Sequence, residues 1–441
     1  MRELDLISQA PGTPEYYVLL VVIGLVYYAA FARTLYGLFD PLVMLLINFV
    51  FPGTLVAWGT LNGFIQGQYL GAYIACSAAL VAGYHLGVRR MHAGRAADTA
   101  APEPGSPEGR LNLDHLFILV LALLVIGAVS LAYAASRGSI ALFTDNPAND
   151  RVAVNAANRW LIVLWSGLST PGLIVPCLVA LHTRSQYRRW VSVLGALCWV
   201  LVFAASGSKS GVLILVFTFG LLAVYLRVIG SNKSRLVGRY ILVFFLVGLA
   251  YAAYVTSGLG FENRSWVSLL GMRLFLSGES YLYFFVANQY EVLKFTYEPV
   301  TYILHTLTAG LGLKLIPFNI GTALYGGYSG DYSGIGPNPQ YVVEGMIFFG
   351  LYFAPLYSVV IGYLTGLSRR FMLDKVDNGR LLVFIVVFSN AGYLPVDVTL
   401  WEFDVLASAV ILIPLYLITL AVTRALFGGT AGAVGTQPSI A

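Results

Sequence analysis

The residues of this chain best equipped for chemistry are cations set among small residues. Lys209 stands in Gly-Ser-Lys-Ser-Gly, 207–211. Small residues let backbone amides come close to a ligand, and successive N–H groups form an anion nest. A lysine in such a turn suits a diphosphate; the bland alternative is a lysine snorkelling to the membrane boundary. Arg137, Arg151 and Arg159 share the segment 136–160. Arginine offers a fixed donor fork to multi-oxygen anions, although Asp145 and Asp150 in the same segment are competing partners. Arg264 and Arg273 are nine residues apart, so one helix would turn them to opposite faces. Arg273 lies in the apolar LLGMRLFLSG and needs a partner there, with Glu279 as the internal one.

Two further groups can handle protons. His305 is read either as a general base, neutral near pH 7, or as an interfacial histidine bonded to backbone. Glu344 enters an apolar run, where a carboxylate is expensive and functional by default. It either pairs with an arginine or holds an acceptor hydroxyl. The aromatic run YLYFFVANQY, 281–290, reads as packing in preference to a stacking platform for sugar rings.

The elements that must position these groups are membrane spans. The chain has 441 residues, of which 58% are hydrophobic and 11% charged, and a mean hydropathy of +0.77. Soluble domains run near about 25% charged. Apolar runs of about 20 residues recur at 16–32, 41–59, 69–88, 115–135, 160–181, 190–206, 211–228, 240–257, 341–366, 381–397 and 404–423. These predict an all-α polytopic membrane protein of about 11–12 transmembrane helices forming one unit, 1–441. Short or re-entrant helices are expected within 266–316. Cys76, Cys177 and Cys198 lie in apolar runs and read as small hydrophobes without metal or disulfide spacing. Met1–Glu15 is short and acidic, unlike a signal peptide.

Charge fixes an expected orientation. The loops 89–110, 184–189, 227–239 and 369–380 are basic and can share one side. With Arg33 and Arg424 they bring 17 of the 26 Lys/Arg to that side, and with Asp40 and Asp114 only 7 of the 21 acids, which predicts the cytoplasmic face. Within the cytoplasmic linker 89–113, the Pro/Ala/Gly segment 93–109 is expected to be mobile, as is the tail 428–441. The opposite, extracytoplasmic face then carries the loop 136–159, the turn at Lys209 and the large segment 257–340. That segment is too polar to lie in lipid and too apolar for a plain loop.

These patches resemble the Wzy-type O-antigen polymerases, bacterial inner-membrane proteins related to O-antigen ligases. RGSIALF, starting at Arg137 and followed by Arg151, is similar to that family's Gly-Ile-Pro-Leu-Phe loop start, with Ala141 at the proline position. SGSKSG resembles its Gly-Ser-Arg turn, with lysine for arginine. GIGPNPQYVVEGMIFFGLYFAPLYSVVIGYLTG, 334–366, is similar to its re-entry element, through Pro337, Asn338, Pro339, Glu344, Phe349 and Gly350. The Arg-X10-Gly spacing of some members is absent from the outer-side arginines.

The resemblance implies a GT-C-like fold and a glycosyltransferase that joins repeat units at the periplasmic face of the inner membrane. Donor and acceptor would both be polyprenyl-diphosphate-linked oligosaccharides, with membrane lipid and a chain-length co-polymerase as partners. Neither cofactor, metal nor nucleic acid is expected. Lys209, Arg273, Arg264, Arg137 and Arg151 would bind the diphosphate. Tyr328, Tyr332, Asn338 and Tyr341 would meet the glycan. Glu344, His305 or Asp331 would serve as base in an inverting displacement. A ligase that transfers glycan to lipid A, a transporter or flippase for lipid-linked glycans, and a scaffold for an export complex are the competing readings.

Overall fold

The computed structural model describes residues 13–37, 40–95, 111–137, 140, 158–205, 211–228, 231–238, 241, 246, 278–309, 313, 315–330, 332, 336–370 and 377–427. Among them the regular structure is helical, with no strand. Twelve helices carry the argument: α1 Pro14–Phe31, α2 Pro41–Leu61, α3 Gly67–Arg95, α4 Leu113–Ser136, α5 Arg159–His182, α6 Gln186–Ala205, α7 Gly211–Val228, α8 Pro299–Ala309, α9 Ile320–Ser329, α10 Gln340–Arg370, α11 Asn378–Val383 and α12 Val398–Phe427. Asx residues start several of them by accepting orphan amides of the first turn. Asp40 takes Leu42 N, Asn112 takes His115 N, Asn319 takes Thr322 N, and Asp377 takes Arg380 N.

Eight described helices are long and apolar enough to cross a membrane: α1 to α6, α10 and α12. This is an all-α multi-pass membrane architecture. The predicted span 381–397 is not one of them. α11 runs on through a π-helical turn, Phe384–Phe388, and the helical stretch Asn378–Phe388 ends at Ser389 and Asn390. Eleven residues rise only about 16 Å, roughly half a bilayer core. The predicted span 240–257 lies outside the described residues apart from 241 and 246. Within 278–316 the helices are short, as the mixed composition predicts.

By internal contacts the chain forms two units. One comprises Met1–Glu103, Ala252–Leu373 and Val387–Val405; the other comprises Pro104–Tyr251, Asp374–Val386 and Leu406–Ala441. In the first, α3 and α10 touch backbone to backbone. A Cβ on Gly83 would stand 2.1 Å from Val359 O, on Gly87 2.5 Å from Tyr363 O, on Gly362 2.1 Å from Leu80 O, and on Gly366 2.3 Å from Tyr84 O. Two Gly-x-x-x-Gly pairs therefore face each other, the arrangement by which membrane helices gain packing without a hydrophobic drive.

The same unit holds a buried ion pair. Arg369 is 2% and Asp40 0% exposed. Arg369 Nη1 and Nη2 each donate to an Asp40 oxygen at 2.7 Å, and Nη2 also donates to Thr34 O at 2.7 Å. Tyr36 N and Leu42 N complete the carboxylate. The guanidinium lies over the Tyr36 and Phe388 rings. Every polar atom of the pair's carboxylate has a partner, which is the condition for keeping such a pair out of water.

The second unit is built from long helices. Trp199 fills the gap opposite Gly172 and donates Nε1–H to Leu123 O at 3.1 Å. Asn112 and Asn378 exchange two hydrogen bonds, Asn378 reaches His115 Nδ1, and Arg188 meets Asp114.

Candidate functional site

The apolar run predicts a span over 341–366; the observed helix is α10, and its backbone does not run straight. Gly350 has φ 74° and ψ 175°, a region open essentially to glycine alone. The chain reverses there. The first arm, 340–349, folds back beside the second, 351–370. Gly345 lies against Ala354 and Tyr357, and the Phe348 ring meets Tyr357. The first arm is ten residues, about 15 Å, so it reaches only part-way through a bilayer core. Its start is tied to the turn before α12, with Gln340 N donating to Val396 O at 2.9 Å and Tyr341 N to Pro395 O at 3.0 Å.

This arm carries Glu344 to the N-terminus of α12. The carboxylate is fully buried. Oε1 accepts Val398 N–H at 3.2 Å, and Oε2 accepts the Tyr357 hydroxyl at 2.8 Å. Both partners donate, and a helix N-terminus favours negative charge. The described contacts of Glu344 are a tyrosine hydroxyl and a backbone amide, and no arginine among the described residues meets it. Beside it Asp397 caps α12, accepting Thr399 N at 3.0 Å, Thr399 Oγ1 at 2.7 Å and Leu400 N at 3.1 Å. Burial pushes the Asp397 carboxyl above its ordinary range, against the pull of those donors. Tyr302, from α8, reaches the Thr399 side chain and feels both carboxylates. Two acids and two tyrosines are thus gathered at one helix end.

A second polar group leads away along the same arm. Tyr341 is one turn before Glu344, fully buried, with its hydroxyl 3.0 Å from Ser77 Oγ. Tyr27 donates to Ser77 at 2.9 Å and lies 3.2 Å from the Tyr73 hydroxyl. Tyr341 therefore packs inside the unit, edge-on to Phe49, rather than on an open glycan surface.

The remaining expected site residues are dispersed. His305 Nδ1 accepts Leu315 N at 3.0 Å and Ile316 N at 3.2 Å, so this ring atom holds a backbone turn, as in the second reading of that histidine. Tyr328 stacks on Tyr283 at 4.7 Å. Tyr332 is 46% exposed and stands beside Phe318. Asn338 is exposed in the Pro-Asn-Pro turn. Arg137 is exposed after α4, over the Tyr133 ring, and belongs to the other unit. Asp331, Lys209, Arg264, Arg273 and Arg151 lie outside the described residues. The aromatics 281–285 are buried, in line with the packing reading.

Asp397, Tyr357, Tyr302 and Thr399 were not anticipated. Asp397 did carry a signal: an Asp followed by Val-Thr and an apolar run is an N-cap pattern. Glu402, one turn into α12, is buried as well, and its Oε2 has no hydrogen-bond partner among the described residues. Comparison with protein-family models, with curated proteins and with solved structures returns no match to this chain.

Proposed function

We propose that this protein is a glycosyltransferase of the inner membrane that polymerises polyprenyl-diphosphate-linked oligosaccharide repeat units at the periplasmic face. The observation that carries the reading is Glu344: a fully buried carboxylate on a folded-back membrane arm, held by Tyr357 and the start of α12. It sits one turn beyond the Pro-Asn-Pro turn through which the sequence resembles O-antigen polymerases. In the proposed reaction an acceptor sugar hydroxyl attacks the donor's anomeric carbon. The new C–O bond forms as the bond to the lipid diphosphate breaks, and the diphosphate leaves with that electron pair. Glu344 takes the hydroxyl proton. Lys209, Arg264, Arg273, Arg137 and Arg151 are the cations proposed to stabilise the departing charge.

The test is chain extension by the purified protein on synthetic lipid-linked repeats, without ATP, nucleotide sugar or added metal, followed by product sizing. Wild type should make ladders, and Glu344→Gln, Lys209→Ala and Arg273→Ala should not. A wild-type protein that leaves the repeats single overturns the reading. A ligase would instead move glycan onto lipid A.

One set of observations favours a second reading, a transporter for lipid-linked glycans. The break at Gly350 and the short helical stretch Asn378–Phe388 are discontinuous helices, and transporters build substrate sites from such elements. Protein-dependent movement of labelled lipid-linked repeat across vesicles, with no change in its length, would select it.

A further inference from the structure

In an unbroken helix the Leu351 amide would donate to the Ile347 carbonyl. Both halves of that hydrogen bond are occupied by one external segment. Ile347 O accepts Phe295 N at 2.6 Å, and Leu351 N donates to the Tyr290 hydroxyl at 3.1 Å. The same segment fills the space beside the break. A Cβ on Gly350 would come within 2.8 Å of the Phe295 ring. Phe295 holds φ 59°, an unfavourable value for an aromatic residue, so the wedge is itself strained. Its inner side is anchored by Tyr290, buried against Tyr69 and Phe284, and its outer side is open. The wedge contains only the four-residue helix Tyr290–Leu293, and Val292 and Phe295 are 71% and 65% exposed.

We propose that Tyr290 and Phe295 are positioning residues for Glu344, and that segment 290–295 is a removable wedge. While it is seated, α10 stays broken and Glu344 stays on the N-terminus of α12. When it withdraws, Ile347 and Leu351 bond each other, α10 straightens, and Glu344 leaves Val398 and Tyr357. The inference rests on the proposed function only in treating Glu344 as the working group. The two conformations follow from the hydrogen bonds. Gly350→Ala selects the straight form twice over, because alanine disfavours the broken backbone and its methyl collides with Phe295.

The experiment is a distance measurement between spin labels at Asn338 and Val360, both exposed, in the full-length protein with its three cysteines replaced by alanine. A straight helix from 340 to 360 separates its ends by about 30 Å, whereas the reversal at Gly350 brings them together. The parent should show the short separation, and Gly350→Ala should shift it to the long one. Tyr290→Phe keeps the ring and removes only the hydroxyl. It should add a long-distance population and speed amide hydrogen exchange several-fold in a peptide covering 347–352. A folded Gly350→Ala protein with only the short separation overturns the proposal. So does Tyr290→Phe with unchanged distances and unchanged exchange, whether or not the alanine variant can be purified. Neither readout uses activity, so loss of the polymerase reading leaves this test intact, and the reverse holds.

Discussion

The two units solve the membrane problem differently. The unit built on α4 to α7 packs mainly continuous helices; its described polar contacts include neutral indole hydrogen bonds within the helices, Trp199 to Leu123 O and Trp165 to Ser130, and pairs at helix ends such as Asn112 with Asn378 and Asp114 with Arg188. The unit built on α1 to α3 and α10 buries an ion pair, a hydroxyl chain and a carboxylate at a helix end, and it breaks a helix to do so. Backbone amides freed in lipid must find partners, so a break is tolerated only where other groups replace the lost bonds. That is what Tyr290 and Phe295 do. Regular packing alone needs neither a reversal nor a buried acid, and these two features of the broken unit are what the proposed role of Glu344 rests on.

The comparison can be broken most forcefully at the ion pair. Arg369→Ala leaves Asp40 buried and unpaired, and should lower stability by about 3–5 kcal/mol in denaturant unfolding of the solubilised protein. Replacing both partners with Leu and Met removes the unpaired charge but strands Tyr36 N, Leu42 N and Thr34 O, and should recover only part of it. A single variant as stable as wild type would mean that the pair is not sealed from water. Glycine packing gives the next effect. Gly362→Ala drives a methyl into the Leu80 carbonyl, and Gly172→Ala drives one into the Trp199 ring. Overpacking typically costs about 1–3 kcal/mol. The first should be the larger loss in melting temperature, because a backbone carbonyl cannot rotate away.

At the candidate site, Glu344→Ala strands Val398 N–H and the Tyr357 hydroxyl and should cost about 1–3 kcal/mol. Glu344→Gln keeps an acceptor for the amide and a partner for the hydroxyl, and should cost less than about 1 kcal/mol while abolishing chain extension. Equal stability of the two variants would refute the described bonding. The smallest effect is a pH slope. Burial raises the Asp397 carboxyl in the folded chain, so the folded state binds its proton more tightly than the unfolded chain does. That contribution to stability is complete below the ordinary carboxylate range, near about 3.9, and is lost as pH rises through the raised folded value. Asp397→Asn should flatten this part of the stability–pH curve, and an unchanged slope would assign it elsewhere.

Much of this was legible along the chain, and the missing parts share one cause. Glu344 stood out because a carboxylate in an apolar run has a price wherever it folds. Its partners did not, because Tyr357 and Val398 meet it only after the chain reverses and returns. The stretch 381–397 passed for a span on composition. Ser389, Asn390 and Pro395 are too few to lower its hydropathy, yet the helix ends at the first two. Arg369 read as a loop charge marking the cytoplasmic face; its place in a buried pair with Asp40 depends on a partner 329 residues away.

Sequence by itself determined the solvent and the secondary structure: so few charges and such long apolar runs can satisfy their backbone in lipid only as helices. It also singled out Glu344 and the Pro-Asn-Pro turn. Which glycine among 46 would reverse the chain was decided by tertiary structure, because Tyr290 and Phe295 arrive from elsewhere to take up Leu351 N and Ile347 O beside the left-handed backbone at Gly350.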